Sequence, residues 1–306
     1  MKYFFVSLIL LSALFADCQN GKLLEIKEYT LPDSTSWQEK SSKPKFYQVT
    51  YLSDSFRVKG FAAIPQNGEN FPCVIFNRGG NGSYNMLTKE SFAGKAAFLV
   101  TNGYIVIASQ YRGSEGSEGK DELGGGDVSD VTGLIVTLRS IPKADTSRIG
   151  MFGWSRGAIN TFLGLTKVSN IKAAVVGAGF TDLISLKETR KFFDTGLYSR
   201  QIPNYGKTKD EHLLKIRSAT FFAEKISKTT PILLLQGTGD KNVPASQALN
   251  LAQKFYEVKQ PFRLILYEGG SHSLEKFKSE YEFEIIKWFN KYLRDGIVFS
   301  SSAMSN

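Results

Sequence analysis

The sequence predicts an α/β fold, in which a mostly parallel central sheet carries helices on both faces. Short apolar runs recur along the chain, and helical patterns separate them. The run at 73–76 is continuously apolar, as in a central strand covered on both faces. Alternation of this kind gives parallel strands joined by crossover helices. With 306 residues, of which 42% are hydrophobic, the chain can form one large core.

Residues 1–18 have the pattern of a secretory signal peptide, with a positive start followed by a stretch of about a dozen mostly apolar residues. We therefore expect a secreted or periplasmic protein. No later segment approaches the roughly 18 apolar residues of a membrane span, so no transmembrane span is expected. Cys18 is a possible lipid-anchor site, but Asp17 disfavours it because bacterial lipoprotein signals have a small residue there.

The N-terminal part of the mature chain, residues 19–54, is expected to form an arm and the first strand. Its polar portion, 20–45, indicates a loosely packed lead-in. The runs at 46–52 and 56–64 flank a Ser-Asp-Ser turn and predict an antiparallel hairpin. One large domain is expected over 55–295 and a tail over 296–306.

Strands and helices then alternate along the chain. In order, the pattern predicts a strand at 73–76, a helix at 85–101, a strand at 104–109, a Gly-rich loop at 112–126, a helix at 127–140 with Asp127 as its N-cap, a strand at 149–152, a helix to 167, strands at 173–176 and 231–235, a helix at 244–258, a strand at 262–267 and a helix at 274–293. Residues 180–228 have no strand character. They predict a helical excursion over the carboxyl ends of the strands, where α/β sheets bind ligands.

Ser155 lies between an apolar run that ends at Gly153 and a helix-forming run that begins at Gly157. This is the G-x-S-x-G pattern of a nucleophile elbow, which holds a serine on a sharp turn between strand and helix. Because Gly-rich turns are common, the pattern needs partners that follow in the right order. It predicts Ser155 as a nucleophile only if those partners exist.

A serine nucleophile needs a base, and the chain has two histidines. His212 lies in a charged helical stretch and is expected to be solvated. His272 follows a predicted strand in a Gly-rich loop, and Asp240 directly follows another, so Asp240 is the candidate acid that orients His272. The order Ser155, Asp240, His272 is that of α/β-hydrolases.

An oxyanion also needs N–H donors. The backbone N–H of Arg156, the residue after the nucleophile, is one candidate. The second should come from the loop at 77–84, after the strand at 73–76, where Gly79 and Gly80 allow the backbone to approach substrate.

Charge and cysteine content exclude several function classes. The chain carries 38 basic and 29 acidic residues, but the lysines are scattered, which argues against nucleic-acid binding. Only Cys18 and Cys73 are present, so a disulfide framework and a cysteine-based metal site are excluded, and no metal is expected. Cys73 lies in a predicted buried strand and should be an inert core thiol.

Several stretches resemble the catalytic domain of the prolyl oligopeptidase family of serine peptidases. They are 111–116, 153–157, 217–226 and 236–244. The resemblance spans about 55–295 and implies an α/β-hydrolase catalytic domain, the triad Ser155, Asp240 and His272, and no cofactor. In that family a tyrosine often donates to the oxyanion, and Tyr84 is the matching candidate.

The sequence departs from that family at two arginines and in its length. Arg78 stands where the family loop usually has histidine, and Arg156 stands where post-proline members often have tyrosine or asparagine. Either arginine could favour an acidic substrate, the alternative being a surface arginine with no specific role. The chain also leaves no room for the N-terminal β-propeller of the family.

The resulting hypothesis is an exported serine hydrolase that forms an acyl-enzyme, with a peptidase acting on short peptides favoured over a carboxylesterase. A non-catalytic binding module on the same fold is the third alternative. Trp154, Phe180, Leu183 and Val243 are the candidate pocket residues, and ordinary core packing is the other interpretation of them. Their lining would accept proline or an acyl chain equally well. The sequence carries no signal for oligomeric state.

Overall fold

The computed structural model describes residues 20–31 and 44–298. The predicted signal peptide and Cys18 lie outside the described residues, as does the tail from 299 onward. In the described part, nine strands form one sheet, in the order β1-β2-β3-β5-β4-β6-β7-β8-β9. The strands are β1 Leu23–Tyr29, β2 Lys45–Ser53, β3 Phe56–Ile64, β4 Phe71–Asn77, β5 Ile105–Ser109, β6 Ala144–Trp154, β7 Ile171–Gly177, β8 Ile232–Gly237 and β9 Phe262–Tyr267.

The sheet is antiparallel at one end and parallel through the rest. Strands β1, β2, β3 and β5 pair antiparallel, and every neighbouring pair from β5 through β4 to β9 is parallel. The predicted mostly parallel sheet and the β2–β3 hairpin are therefore confirmed. The prediction of a loosely packed lead-in is wrong for β1, because this strand pairs with β2 from Leu23 to Tyr29. Most residues of β1 are exposed, so no apolar alternation marks it in the sequence.

Helices cover both faces of the sheet, as predicted. They are α1 Lys89–Thr101, α2 Asp127–Leu138, α3 Gly157–Lys167, α4 Leu183–Thr189, α5 Ser199–Gln201, α6 Tyr205–Thr208, α7 His212–Lys215, α8 Ser246–Glu257 and α9 Lys278–Phe289. Short 3₁₀ or π turns occupy Phe193–Tyr198, Ala219–Phe221, Ala223–Lys225, Glu275–Phe277 and Asn290–Arg294. In the described part of the chain, no helix combines the length and apolar character needed to cross a membrane.

Two cores lie on opposite faces of the sheet. Along β4, Cys73 and Ile75 belong to the core beneath α2, α3 and α8, whereas Val74 and Phe76 belong to the core beneath α1 and α9. This alternation follows from the two-residue period of a strand. The strand is buried on both faces, which explains its continuously apolar sequence.

The excursion at 180–228 contains α4 to α7 and no strand, as predicted. Its apolar side chains form a third cluster, which includes Leu183, Tyr205 and Leu214. Phe180 and Val243, which follow β7 and β8, belong to the same cluster. The excursion therefore packs against the carboxyl ends of the parallel strands, which is the edge where the candidate site lies.

Candidate active site

Ser155 sits on a strained turn between β6 and α3, with φ of 55°. A non-glycine residue in this left-handed region is uncommon and often marks a functional site. The flanking glycines allow the turn to pack: a Cβ on Gly157 would lie 2.0 Å from the Asn77 carbonyl oxygen. The Ser155 N–H donates to the carbonyl of Gly177 at 2.8 Å, which ties the turn to β7.

His272 connects Ser155 to Asp240 through one line of hydrogen bonds. Its Nε2 lies 2.9 Å from Ser155 Oγ, and its Nδ1 lies 2.8 Å from Asp240 Oδ2. The Asp240 side chain is fully buried, and its Oδ1 accepts the N–H groups of Asn242 and Val243. An anchored carboxylate on Nδ1 fixes the tautomer that leaves Nε2 free to accept the serine proton.

The loops that carry Asp240 and His272 pack closely because both are glycine-rich. A Cβ on Gly237 would lie 2.1 Å from the Gly270 carbonyl oxygen. Trp154 also holds the histidine loop, since its indole N–H donates to the carbonyl of His272 at 3.1 Å. The structure thus brings together the three residues that the sequence order selected.

The backbone beside Ser155 offers donors for an oxyanion. Within the described residues, the N–H groups of Arg156, Gly79 and Gly80 have no hydrogen-bond acceptor in the chain. A Cβ on Gly79 would lie 3.2 Å from the Cβ of Ser155, so this glycine backbone lies directly against Ser155. Tyr84 lines the same cleft, but its side chain is 70% exposed and makes no hydrogen bond within the described residues.

The Arg156 side chain points away from solvent and is 1% exposed. Its Nη2 binds Asp121 and Asp127, the latter at 2.9 Å. Burial alone would raise the pKa of Asp127, but Arg156 and the N–H groups of Gly124 and Gly125 lower it below its usual value. Arg156 is therefore not a surface arginine, and it is not free to bind an acidic substrate, because two aspartates already neutralise its charge.

The structure also corrects the predicted N-cap of α2. Asp127 is the first residue of that helix, and Gly126 is its N-cap.

Arg78 is also 1% exposed, so the surface interpretation is wrong for it too. Its guanidinium donates to the carbonyls of Gly79, Gly82 and Gln110 and to the hydroxyl of Ser114. Burial, and secondly the charge of Arg156, lower the pKa of Arg78 to about 10. The Arg78 side chain therefore braces the loop at 77–84 from inside the protein and does not face the cleft.

A cleft of about 920 Å³ opens over Ser155 and His272. Trp154 and Phe180 line it, as predicted. Leu183 and Val243 do not line it, because both are fully buried in the cluster beneath the excursion. The prediction that Leu183 and Val243 line the pocket is therefore wrong, and both are core residues.

The sequence prediction missed several cleft residues. From the excursion and the acid loop come Arg190, Phe192, Phe193 and Asn242; from α1 come Ser91, Gly94, Lys95 and Phe98; from α9 come Lys278, Tyr281 and Glu282. The Phe192-Phe193 pair in a charged stretch was the one available signal for the first group. Nothing in the amphipathic patterns of α1 and α9 distinguished their cleft-facing residues from core residues.

Cys73 and His212 lie where the sequence predicts them. Cys73 is a buried free cysteine, and burial raises the pKa of its thiol to about 12. His212 is exposed on α7. Among residues 20–31 and 44–298, no three His, Cys, Asp or Glu side chains converge to hold a metal ion.

Comparison with known families agrees with this geometry. The model of the prolyl oligopeptidase family, Peptidase_S9, matches residues 90–296, which is more than half of the chain. The chain belongs to the prolyl oligopeptidase family. It is accordingly a serine-type peptidase with an α/β-hydrolase fold, and the resemblance inferred from the motifs is confirmed.

Two relatives in this prolyl oligopeptidase family illustrate the range of lengths. The uncharacterized peptidase YtmA of Bacillus subtilis is 28% identical over 233 residues, which cover 76% of this chain and 88% of YtmA. Dipeptidyl peptidase 8 of Mus musculus is 28% identical over 244 residues, which cover 74% of this chain but 26% of that protein.

Solved structures share the fold. A puromycin-hydrolyzing peptidase of Mycobacterium tuberculosis aligns with a TM-score of 0.66 and 24% identity, over 87% of this chain and 41% of that one. The acylaminoacyl peptidase of Pyrococcus horikoshii gives a TM-score of 0.67 and 20% identity, over 87% of this chain and 44% of that one. This chain thus spans less than half the length of both.

Proposed function

We propose that this chain hydrolyses acyl bonds in short peptides through a covalent acyl-enzyme on Ser155. His272 Nε2 takes the proton of the Ser155 hydroxyl as the oxygen attacks the carbonyl carbon, and returns that proton to the leaving amine. Asp240 orients the imidazole and stabilises its protonated form. Water, activated by His272, then attacks the ester and releases the acid.

The oxyanion of each tetrahedral intermediate is bound by backbone donors. The N–H of Arg156 supplies one, and the N–H of Gly79 or Gly80 supplies the other. These donors are held in place by buried arginines, so little reorganisation is needed when charge develops. Tyr84 remains a candidate third donor from the cleft wall.

One observation carries this proposal: the continuous hydrogen-bonded line from Asp240 through His272 to the strained Ser155. It supports a hydrolase over a binding module, since a vestigial site has no reason to keep all three groups aligned. The peptidase assignment rests on the family. The carboxylesterase alternative uses the same machinery, and no feature of the cleft favours it.

The experiment compares kcat/KM for an Ala-Pro anilide with that for short-chain aryl esters, using wild type and Ser155→Ala. We expect anilide cleavage that the variant loses. Ester turnover without any anilide or peptide cleavage would reject the peptidase and leave the esterase.

We also propose that the mature chain is exported, on the signal-peptide pattern of residues 1–18. Intact-mass analysis of protein from cell fractions tests this. Export predicts a secreted or periplasmic species that lacks the first 16 to 18 residues, and a full-length species in the cytoplasm would contradict it.

A further inference from the structure

The cleft extends from the catalytic residues into a lobe between α1 and α9, which we call the aromatic lobe. Five aromatic rings line it, and neighbouring rings are in contact. The distances between ring centroids are 5.3 Å for Phe76–Phe152, 6.3 Å for Phe98–Phe152, 6.1 Å for Phe152–Trp154 and 5.4 Å for Trp154–Tyr281. Trp154 directly precedes Ser155. Trp154 is an inner member of the row, so the rings extend from it in two directions, to Phe152 and Phe76 one way and to Tyr281 the other.

Gly94 of α1 leaves space in this lobe. A Cβ added to Gly94 would meet no atom within 4 Å, although the residue lies in the interior of a helix. Glycine weakens a helix interior relative to alanine, and no backbone contact requires it here. Gly94 is exposed and lines the cleft, so the space beside it is part of the open mouth of the lobe.

Two lysines stand at the solvent edge of the aromatic lobe. Lys95 follows Gly94 on α1, and Lys278 begins α9 with 61% of its side chain exposed. The Lys278 ammonium lies 3.9 Å from the Glu282 carboxylate, whereas Lys95 has no carboxylate within ion-pair distance among the described residues. The pKa of Lys95 is lowered, first because its ammonium group is partly desolvated and second because of the positive charge of Lys278. A carboxylate between the two ammonium groups would relieve this repulsion.

The aromatic lobe adjoins the loop that carries His272. His272 Nε2 protonates the leaving amine, so that amine must lie beside the imidazole. The Trp154 indole is hydrogen-bonded to the backbone of His272 and forms part of the lobe. From Trp154 the lobe continues to Tyr281 of α9, and Lys278 lies three residues before Tyr281, on the same face of that helix.

We propose that the aromatic lobe binds the leaving portion of the substrate through an apolar or aromatic side chain, and that Lys95 and Lys278 bind its free C-terminal carboxylate. The substrates are then short peptides cleaved close to their C-terminus. This inference rests on the proposed hydrolysis at Ser155.

Binding to Ser155→Ala tests the lobe without turnover. Calorimetric titration with Phe-Phe is compared with titration of Phe-Phe-amide and of Phe-Glu-amide, which carries only a side-chain carboxylate. We expect Phe-Phe to bind at least tenfold more tightly than either amide. The added substitutions Lys95→Met and Lys278→Met should remove that preference, and Lys287→Met, on the same helix but outside the cleft, should keep it.

Filling the lobe provides the second test. Gly94→Phe should reduce Phe-Phe affinity at least tenfold, whereas Gly94→Ala should leave it within about threefold, since its Cβ meets nothing. Equal binding of Phe-Phe and Phe-Phe-amide, or unchanged binding in Gly94→Phe, would overturn the leaving-group assignment. Failure of folded wild type to react with a fluorophosphonate would instead overturn the proposed function, so the two failures are distinguishable.

Discussion

The guanidinium of Arg156 lies 4.5 Å from the ring centroid of Tyr111, a distance at which cation–π attraction is favourable. The guanidinium of Arg78 lies 4.9 Å from the same ring, and the Tyr111 hydroxyl donates to the Arg78 carbonyl. One tyrosine therefore couples the two arginines at which this chain departs from its family. In the proposed mechanism the N–H of Arg156 supplies one oxyanion donor, and Arg78 braces the loop that supplies the other.

Replacing Arg156 should destabilise the whole domain. Arg156→Met leaves Asp121 and Asp127 buried without their counter-charge, which costs about 3 to 5 kcal/mol for a broken buried ion pair. Urea unfolding measures the loss. Arg200→Met, at an exposed arginine, should change stability by less than about 0.5 kcal/mol. Equal stability of the two variants would contradict the proposed role of the buried cluster.

Replacing Arg78 should affect catalysis more than substrate binding. Arg78→Lys keeps the charge but loses the planar fork that bonds Gly79, Gly82 and Gln110 at once. The loosened oxyanion loop should lower kcat about tenfold or more with KM nearly unchanged. Steady-state kinetics on the anilide, with Arg200→Lys as the control, checks this. A rise in KM alone would mean that Arg78 acts on binding.

Asp240→Asn should retain the fold and lose most activity. The amide can present an N–H to His272 Nδ1 and so favour the wrong tautomer, an effect of about 10⁴-fold on kcat in a serine protease triad. Circular dichroism confirms folding, and single-turnover kinetics measures acylation. A loss below tenfold would show that Asp240 does not orient the base.

Tyr84→Phe should lower kcat by less than about threefold, because Tyr84 is 70% exposed, whereas the Gly79 backbone lies directly against Ser155. Removing a true oxyanion donor costs about 10²- to 10³-fold. The same anilide assay distinguishes these outcomes. A hundredfold loss would assign Tyr84 the donor role that the family resemblance implies.

Much of the fold could be predicted because parallel strands buried on both faces, such as β4, give unbroken apolar runs. Strand β1 could not, since its exposed residues carry no such run. The site could also be predicted from position, because Ser155, Asp240 and His272 each lie within five residues of the carboxyl end of a parallel strand, and the chain has only two histidines.

The surroundings of the site were less predictable because they depend on long-range packing. A charged residue such as Arg156 gives no sign that Asp121 and Asp127 will fold over it. Leu183 and Val243 had suitable chemistry for a pocket, but the excursion buries them and exposes Phe192 in the cleft instead.

The central claim is that Ser155 is an activated nucleophile, and intact-mass spectrometry after incubation with a fluorophosphonate tests it most directly. We predict one adduct per folded chain, located on Ser155 by peptide mapping, and none in Ser155→Ala or in urea-unfolded wild type. Unmodified folded wild type, or an adduct on another residue, would contradict the account.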